Sequence, residues 1–250
     1  MNKFALLPQQ DKRAYFEVAA ANLSIMPQLV EKDFWVCWIL KILFSLPGIG
    51  EHLTFKGGTS LSKCYNVIKR FSEDIDISIE RPFLSIGHSI EPNKEESNKE
   101  NQKRLKELQL VCKKNIDEII LPALKQTVTA VLPDNREWKI ELNSEDEDGQ
   151  TILFIFPHAM VSDVESYVRS SVKIEFGARS DHWPVETADL VPYIANVAGD
   201  RVIKGTVVRV LAAERTFWEK ATILHMIYHY PSEKNVPLRM SRHYSDIYAM

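Results

Sequence analysis

The order of apolar and polar positions divides the chain into helical and extended stretches. From Asp11 to Leu23 the apolar residues Tyr15, Val18 and Ala19 form a stripe at helical spacing, with Asp11 placed to cap it. Pro27 to Leu46 predicts a longer helix, very apolar after Asp33 and ended by Pro47-Gly48. Leu53 to Phe55 reads as a short strand, broken by Gly57-Gly58. Leu61, Tyr65 and Ile68 then recur at helical spacing, so a helix is predicted from Ser60 to Ile68 with Thr59 and Ser60 as caps. Asp74 to Ile79 alternates polar and apolar, the pattern of a half-buried strand. Ile86 to Asn101 is polar throughout and predicts a loop. Arg104 to Val131 predicts a helix with a break at Pro122. Trp138 to Leu142, Thr151 to Phe156, Tyr167 to Phe176 and Val202 to Leu211 predict strands, the second apolar enough for a central place in a sheet. A helix over Ala212 to Tyr230 follows, then a loop with Pro231 and Pro237, then a last helix from Ser241.

The chemistry follows from the alternation at Asp74. Side chains at i and i+2 of a strand share a face, so Asp74, Asp76 and Ser78 point one way while Ile75, Ile77 and Ile79 bury the other. Paired carboxylates on a rigid strand repel each other unless a cation sits between them, and magnesium takes carboxylate oxygens together with substrate phosphates. Just upstream, Gly57 and Gly58 let backbone N–H groups approach an anion, at the start of a helix carrying Thr59 and Ser60. Arg70 and Ser72 lie in the turn between. Taken singly, the glycines are a strand-to-helix turn and the aspartates a solvated strand face. Together they form an anion cradle beside a carboxylate pair, the arrangement that metal-assisted nucleotidyl transfer requires. Lys63, one turn from Thr59, adds a cation on the same helix face. A third acid on a strand has two candidates: Glu175 in S-V-K-I-E-F, preferred for the Gly-Ala-Arg that follows it, and Glu141 in W-K-I-E-L.

These residues carry a resemblance. F-K-G-G-T-S-L-S-K, then R-F-S-E-D-I-D-I, resembles the AbiEii/AbiGii toxin family of the polymerase-beta-like nucleotidyltransferase superfamily. E-K-D-F-W-V, I-E-F-G, E-R-T-F-W-E-K-A-T-I-L-H and R-H-Y-S-D are similar to the family's other segments. The resemblance implies an α/β (α+β) nucleotidyltransferase fold: a small mixed sheet flanked by an N-terminal helical layer and a C-terminal helical region. We place a nucleotidyltransferase domain at 1–200 and the start of the helical region at 201–250, with a soft boundary from Gly199 to Gly205. It also implies that Asp74, Asp76 and Glu175 hold two magnesium ions, that Gly57, Gly58, Thr59, Ser60, Ser72 and Lys220 hold a nucleoside triphosphate with help from Lys63, and that Asp246 is needed for activity. The implied acceptor is RNA, tRNA among the candidates. The implied setting is a toxin–antitoxin or phage-defence system, with a separate cognate antitoxin as partner.

Composition narrows this picture without redirecting it. The formal charge of −3 gives no global basic signature, so an RNA partner needs a local patch. Three cysteines without metal-ligand spacing fit a reducing cytoplasm, and no apolar run suits a signal peptide or a membrane span. No Walker lysine, G-x-G-x-x-G, G-x-S-x-G or paired zinc cysteines occur. His225 and His229 have zinc-capable spacing but no third ligand, and the acids of Ser144 to Gln150 fail the spacing of a calcium loop. Glu31, Lys32 and Asp33 either reach towards the site or pair along a solvated helix face. Two alternatives to an RNA-modifying enzyme stay open: a binding module without turnover, and a transferase acting on protein side chains.

Overall fold

The structure, a computed structural model, describes every residue except 73, 85–94, 134–137, 161–170, 179–182, 200–202 and 232. Most of the loop expected over Ile86 to Asn101, the strand starts expected at Tyr167 and Val202, and part of the expected 199–205 boundary lie outside the described residues, while the end of that expected loop is helical from Asn98, which Ser97 caps. One seven-stranded sheet runs in the order β3-β4-β5-β2-β1-β7-β6. Its strands are β1 (Leu53–Lys56), β2 (Ile75–Ile79), β3 (Lys139–Leu142), β4 (Thr151–Ile155), β5 (Ser171–Gly177), β6 (Val185–Leu190) and β7 (Thr206–Leu211). The pairs β2–β5 and β1–β7 are parallel and the others antiparallel, so the sheet is mixed and the class is α/β, as expected. β7 lies inside the sheet, on the C-terminal side of the expected domain boundary. β6 was not expected: V-E-T-A-D-L is an edge strand, partly exposed along most of its length, and lacks the regular alternation that marks β2.

The sheet is two-faced. Ile75, Ile77 and Ile79, with Phe55, Ile152, Phe154, Val172, Ile174, Phe176, Val208 and Val210, join one core. Helices α1 (Asn2–Ala5), α2 (Gln9–Leu23), α3 (Pro27–Phe44), α5 (Asn98–Asn115) and α6 (Leu121–Val131) contribute to that core. α3 is its centre, buried from Val30 to Leu40, and Trp35 and Trp38 meet Phe154 at ring-centroid distances of 5.8 and 5.7 Å. Truncating such an aromatic costs about 3–5 kcal/mol. The opposite face carries the polar half of each alternating strand. No helix among the described residues is long and apolar enough to cross a membrane.

Three local features differ from the sequence expectation, each for a physical reason. The break at Pro122 is a π-helical turn, Ile116–Ile120, joining α5 to α6. A wider turn there absorbs the hydrogen bond that proline cannot donate. The helix after the glycines, α4 (Gly57–Lys63), starts and stops early. Gly57 takes φ +78° and turns the chain straight from β1 into the helix, so Thr59 and Ser60 are not caps. Asn66 takes φ 52° and Val67 N–H donates to Leu61 O at 3.0 Å, closing the helix before Ile68. Finally, Glu31, Lys32 and Asp33 are all buried. Glu31 accepts from the N–H groups of Ala159 (2.6 Å) and Met160 (3.2 Å), and Asp33 from that of Tyr193 (2.7 Å). Glu31 and Asp33 are cross-links through the core, and none of the three lies on a solvated face.

Candidate active site

The strand register assembles the site. Lys56 on β1, Asp76 on β2, Glu175 on β5 and Thr151 on β4 are successive partners across the sheet and share its polar face. Glu175 is therefore the direct neighbour of Asp76. Glu141 is on the same face but pairs with Leu153 of β4, which places it on β3, three strands from β2, and one step further along. Asp74 immediately precedes β2.

The Gly57-Gly58 turn closes over this row. A Cβ built on Gly57 would stand 2.0 Å from Asp76 Oδ2, so the carboxylate occupies the space a side chain would need. A Cβ on Gly58 would lie 3.0 Å from Arg70 Nη2 and 3.1 Å from Ser72 Oγ. Thr59 Oγ1 donates to the carbonyl of Asp74 and shares a hydrogen bond with the Ser72 hydroxyl (2.9 Å), which ties the turn to the start of β2. Ser60 Oγ donates to Gly57 O at 2.9 Å. Both Thr59 and Ser60 are fully buried, their hydroxyls engaged within the protein. Lys63 is drawn elsewhere. Its ammonium lies 2.7 Å from Asp33 and 3.9 Å from the centre of the Tyr193 ring. Burial opposes its charge, but Asp33 more than compensates and raises its pKa.

The carboxylates leave excess negative charge. Burial, then the charges of Glu175 and Asp74, push the Asp76 carboxyl up to about 7, while Lys56 and Lys220 pull the other way. Glu175 is turned to Lys173, 2.6 Å away. Among the described residues no three carboxylate, His or Cys side chains are gathered closely enough to hold a metal. The donor chemistry nonetheless suits a hard divalent cation: adjacent carboxylates on one face, with Asp76 biased towards its protonated form by burial first and by their repulsion second.

After the short α7 (Ala195–Ala198), a second wall comes from α8 (Ala213–Tyr228) and α9 (Ser241–Ala249). Lys220 and Thr216 lie one turn apart on the buried side of α8. Asp246 is the one buried residue of α9. Its carboxylate accepts from Arg70 through two bonds (2.8 and 2.7 Å) and lies 3.0 Å from Lys220 Nζ. Burial works against ionisation of Asp246, but hydrogen bonds from Arg70 and Lys220 outweigh it, so its pKa falls below the ordinary range. His243 is held below its usual value by burial, then by Lys220 and Arg70. Glu219 reaches Lys56 at 3.6 Å, joining α8 to the strand beside Asp76. Around these pairs, Thr216 Oγ1, Glu219 Oε1 and His243 Nδ1 are buried without a hydrogen-bond partner.

Beside Glu175 a groove of about 480 Å³ is lined by Thr151, Lys173 and the acids Glu145, Asp146, Glu147 and Asp148. Asp146 accepts from the N–H groups of Asp148 (3.0 Å) and Gln150 (2.9 Å), so its oxygens serve the turn itself.

The structure thus brings Gly57, Gly58, Ser72 and Asp76 together, with Glu175 beside them and Lys220 on the facing wall. Lys63 is committed to Asp33, and Asp246 touches the two cations. In sequence Arg70 reads as a residue of the turn between the glycines and the aspartates, without a role of its own. Its signal was its phase: positions 70, 72, 74 and 76 run R-x-S-x-D-x-D. Thr216 and His243 lie inside the family-like segments E-R-T-F-W-E-K and R-H-Y-S-D, but nothing in those segments gave either residue a role of its own.

A family model described as the nucleotidyl transferase AbiEii toxin of type IV toxin–antitoxin systems matches residues 38–250. Among solved structures, the nucleotidyltransferase toxin MenT4 of Mycobacterium tuberculosis H37Rv is similar, with a TM-score of 0.48, 22% identity and 83% of this chain covered. The match spans 58% of that toxin's chain. No curated protein matches the chain.

Proposed function

We propose that this chain, which belongs to the AbiEii nucleotidyl transferase toxin family, is a divalent-metal-dependent enzyme that transfers a nucleoside monophosphate from a nucleoside triphosphate to an RNA acceptor such as tRNA. The observation that carries the reading is the seating of Asp76, packed against Gly57 and paired in register with Glu175. Asp74, Asp76 and Glu175 would hold the cation, Glu175 exchanging Lys173 for it. When bound, the metal lowers the pKa of an attacking hydroxyl and neutralises the leaving pyrophosphate. The Gly57-Gly58 backbone, Ser72 and Lys220 receive the phosphates, and Asp246 sets the position of Lys220. A separate antitoxin is the partner that the toxin role calls for.

The test is incubation with magnesium, bulk tRNA and each α-labelled nucleoside triphosphate, beside an Asp76→Ala variant. Label in RNA from the wild type alone supports the proposal and names the base. The acidic groove next to Glu175 favours a second reading, a protein acceptor, because four carboxylates repel an RNA backbone. Label in a protein band instead of RNA would establish that reading. No transfer to either acceptor, with nucleotide still bound, would leave a binding module.

A further inference from the structure

We infer that Arg70 is a ligand of the β- and γ-phosphates of the nucleotide, and that Asp246 is the positioning residue that holds Arg70 and Lys220 as a two-cation clamp over Gly58. The inference rests on the nucleotidyltransferase reading above.

Arginine binds anions through two edges of a planar fork. In this structure one edge, Nε and Nη2, is spent on Asp246 at 2.8 and 2.7 Å. The guanidinium has five N–H donors, so three remain for a second anion. Nη2 also lies 3.0 Å from the place a Gly58 side chain would fill. Arg70 therefore spans the distance between α9 and the anion cradle, with its unused edge available beside the cradle. Lys220 Nζ shares the same carboxylate at 3.0 Å, which leaves two of its three donors.

Charge gives the cluster its sign. Two cations on one carboxylate leave a net positive charge, which suits a polyphosphate and does not suit a metal ion. This separates Asp246 from Asp74, Asp76 and Glu175, although all four are acids near one site. An independent observation marks the clamp as ligand-facing. Thr216 Oγ1, one turn before Lys220 on the same face of α8, is buried at 1% exposure and has no partner. A phosphate oxygen held by Lys220 would satisfy it.

The test is calorimetric titration of inorganic pyrophosphate and the four ribonucleoside triphosphates into the full chain, for wild type, Arg70→Gln, Arg70→Lys and Asp246→Asn, with melting curves for each. We expect Arg70→Gln to weaken pyrophosphate binding at least about tenfold, the scale of a charged hydrogen bond. Arg70→Lys keeps a cation on Asp246 and loses the fork, so it should melt like wild type yet bind weakly, which covers a folding failure of Arg70→Gln. Asp246→Asn removes a negative charge and should still weaken binding, because Arg70 and Lys220 lose their seat. Unchanged affinity in both Arg70 variants overturns the ligand role. Tighter binding in Asp246→Asn overturns the positioning role, since Asp246 would then only compete for the cations. A wild type that binds no polyphosphate overturns the clamp together with the proposed function. Arg70-dependent polyphosphate binding without nucleotide transfer to RNA or protein rejects the function and leaves the clamp standing.

Discussion

A Cβ on Gly57 would fall 2.0 Å from Asp76 Oδ2, so the glycine and the carboxylate share one space. The position is doubly restricted, because Gly57 also takes φ +78°. Steric room and backbone conformation both select glycine there.

Gly57→Ala should therefore disable the site more than it destabilises the fold. The positive φ alone costs an alanine about 1–2 kcal/mol, and the clash displaces Asp76 or the turn. We expect loss of nucleotide transfer of at least about 100-fold, since a 1 Å misplacement near the reacting groups suffices for that. Denaturant unfolding and the labelled-nucleotide assay, run on the same preparation, measure the two effects separately.

Asp76→Asn should stabilise the protein at alkaline pH. The folded-state pKa of Asp76, about 7, lies above its ordinary 3.8, so folding favours the protonated form. The penalty is absent below about pH 4, grows as pH rises through 7 and is constant above that. Removing the charge removes the penalty, worth about 1–3 kcal/mol for a partly exposed group. Without divalent ions, the variant's gain in melting temperature should vanish at pH 4 and be full at pH 8. Magnesium should raise the melting point of the wild type and leave the variant unmoved. A variant that melts lower than wild type at pH 8 would contradict the charge assignment.

The Asp74–Asp76 pair, its apolar reverse face and the glycine turn were legible because each is a local pattern of a few residues. So were most strands and every long helix. The other half of the site was not local. Arg70 and Asp246 are 176 positions apart, and only the folded chain brings them together. Asp33 reads either as a solvated helix charge or as one reaching towards the site, because sequence shows its neighbours on the helix, not Lys63 beside it in space. The early end of α4 was hidden for a similar reason: Tyr65 sits at helical spacing, but its hydroxyl bonds Glu186 (2.9 Å) and Leu211 O (3.0 Å) across the sheet.

Lys63→Met should act on stability and spare nucleotide affinity. The lysine is buried against Asp33, and breaking a buried pair from one side costs about 3–5 kcal/mol. The double variant with Asp33→Asn should recover part of that loss. KM for the nucleotide is the discriminating readout: a rise of tenfold in a folded Lys63→Met protein would return Lys63 to the phosphate site.

Asp246→Asn should loosen α9 as a unit. The helix buries one side chain, and that side chain holds two cations, so losing its charge removes the main anchor. Amide exchange over residues 241–249 should rise towards that of free peptide, while exchange in α3 and the sheet stays slow. Protection retained in α9 would show that contacts other than Asp246 suffice to hold it.

The division of the sheet into one apolar and one polar face has a consequence for how sequence variation reads out. Along β2 the isoleucines at 75, 77 and 79 belong to the core, while Asp76, and Asp74 just before the strand, belong to the other face. Changes at the first set should lower the amount of protein in a cell, through unfolding and degradation. Changes at the second should leave abundance intact and abolish the proposed nucleotide transfer. A library scored for both traits would separate them with a period of two residues, one trait rising where the other is silent.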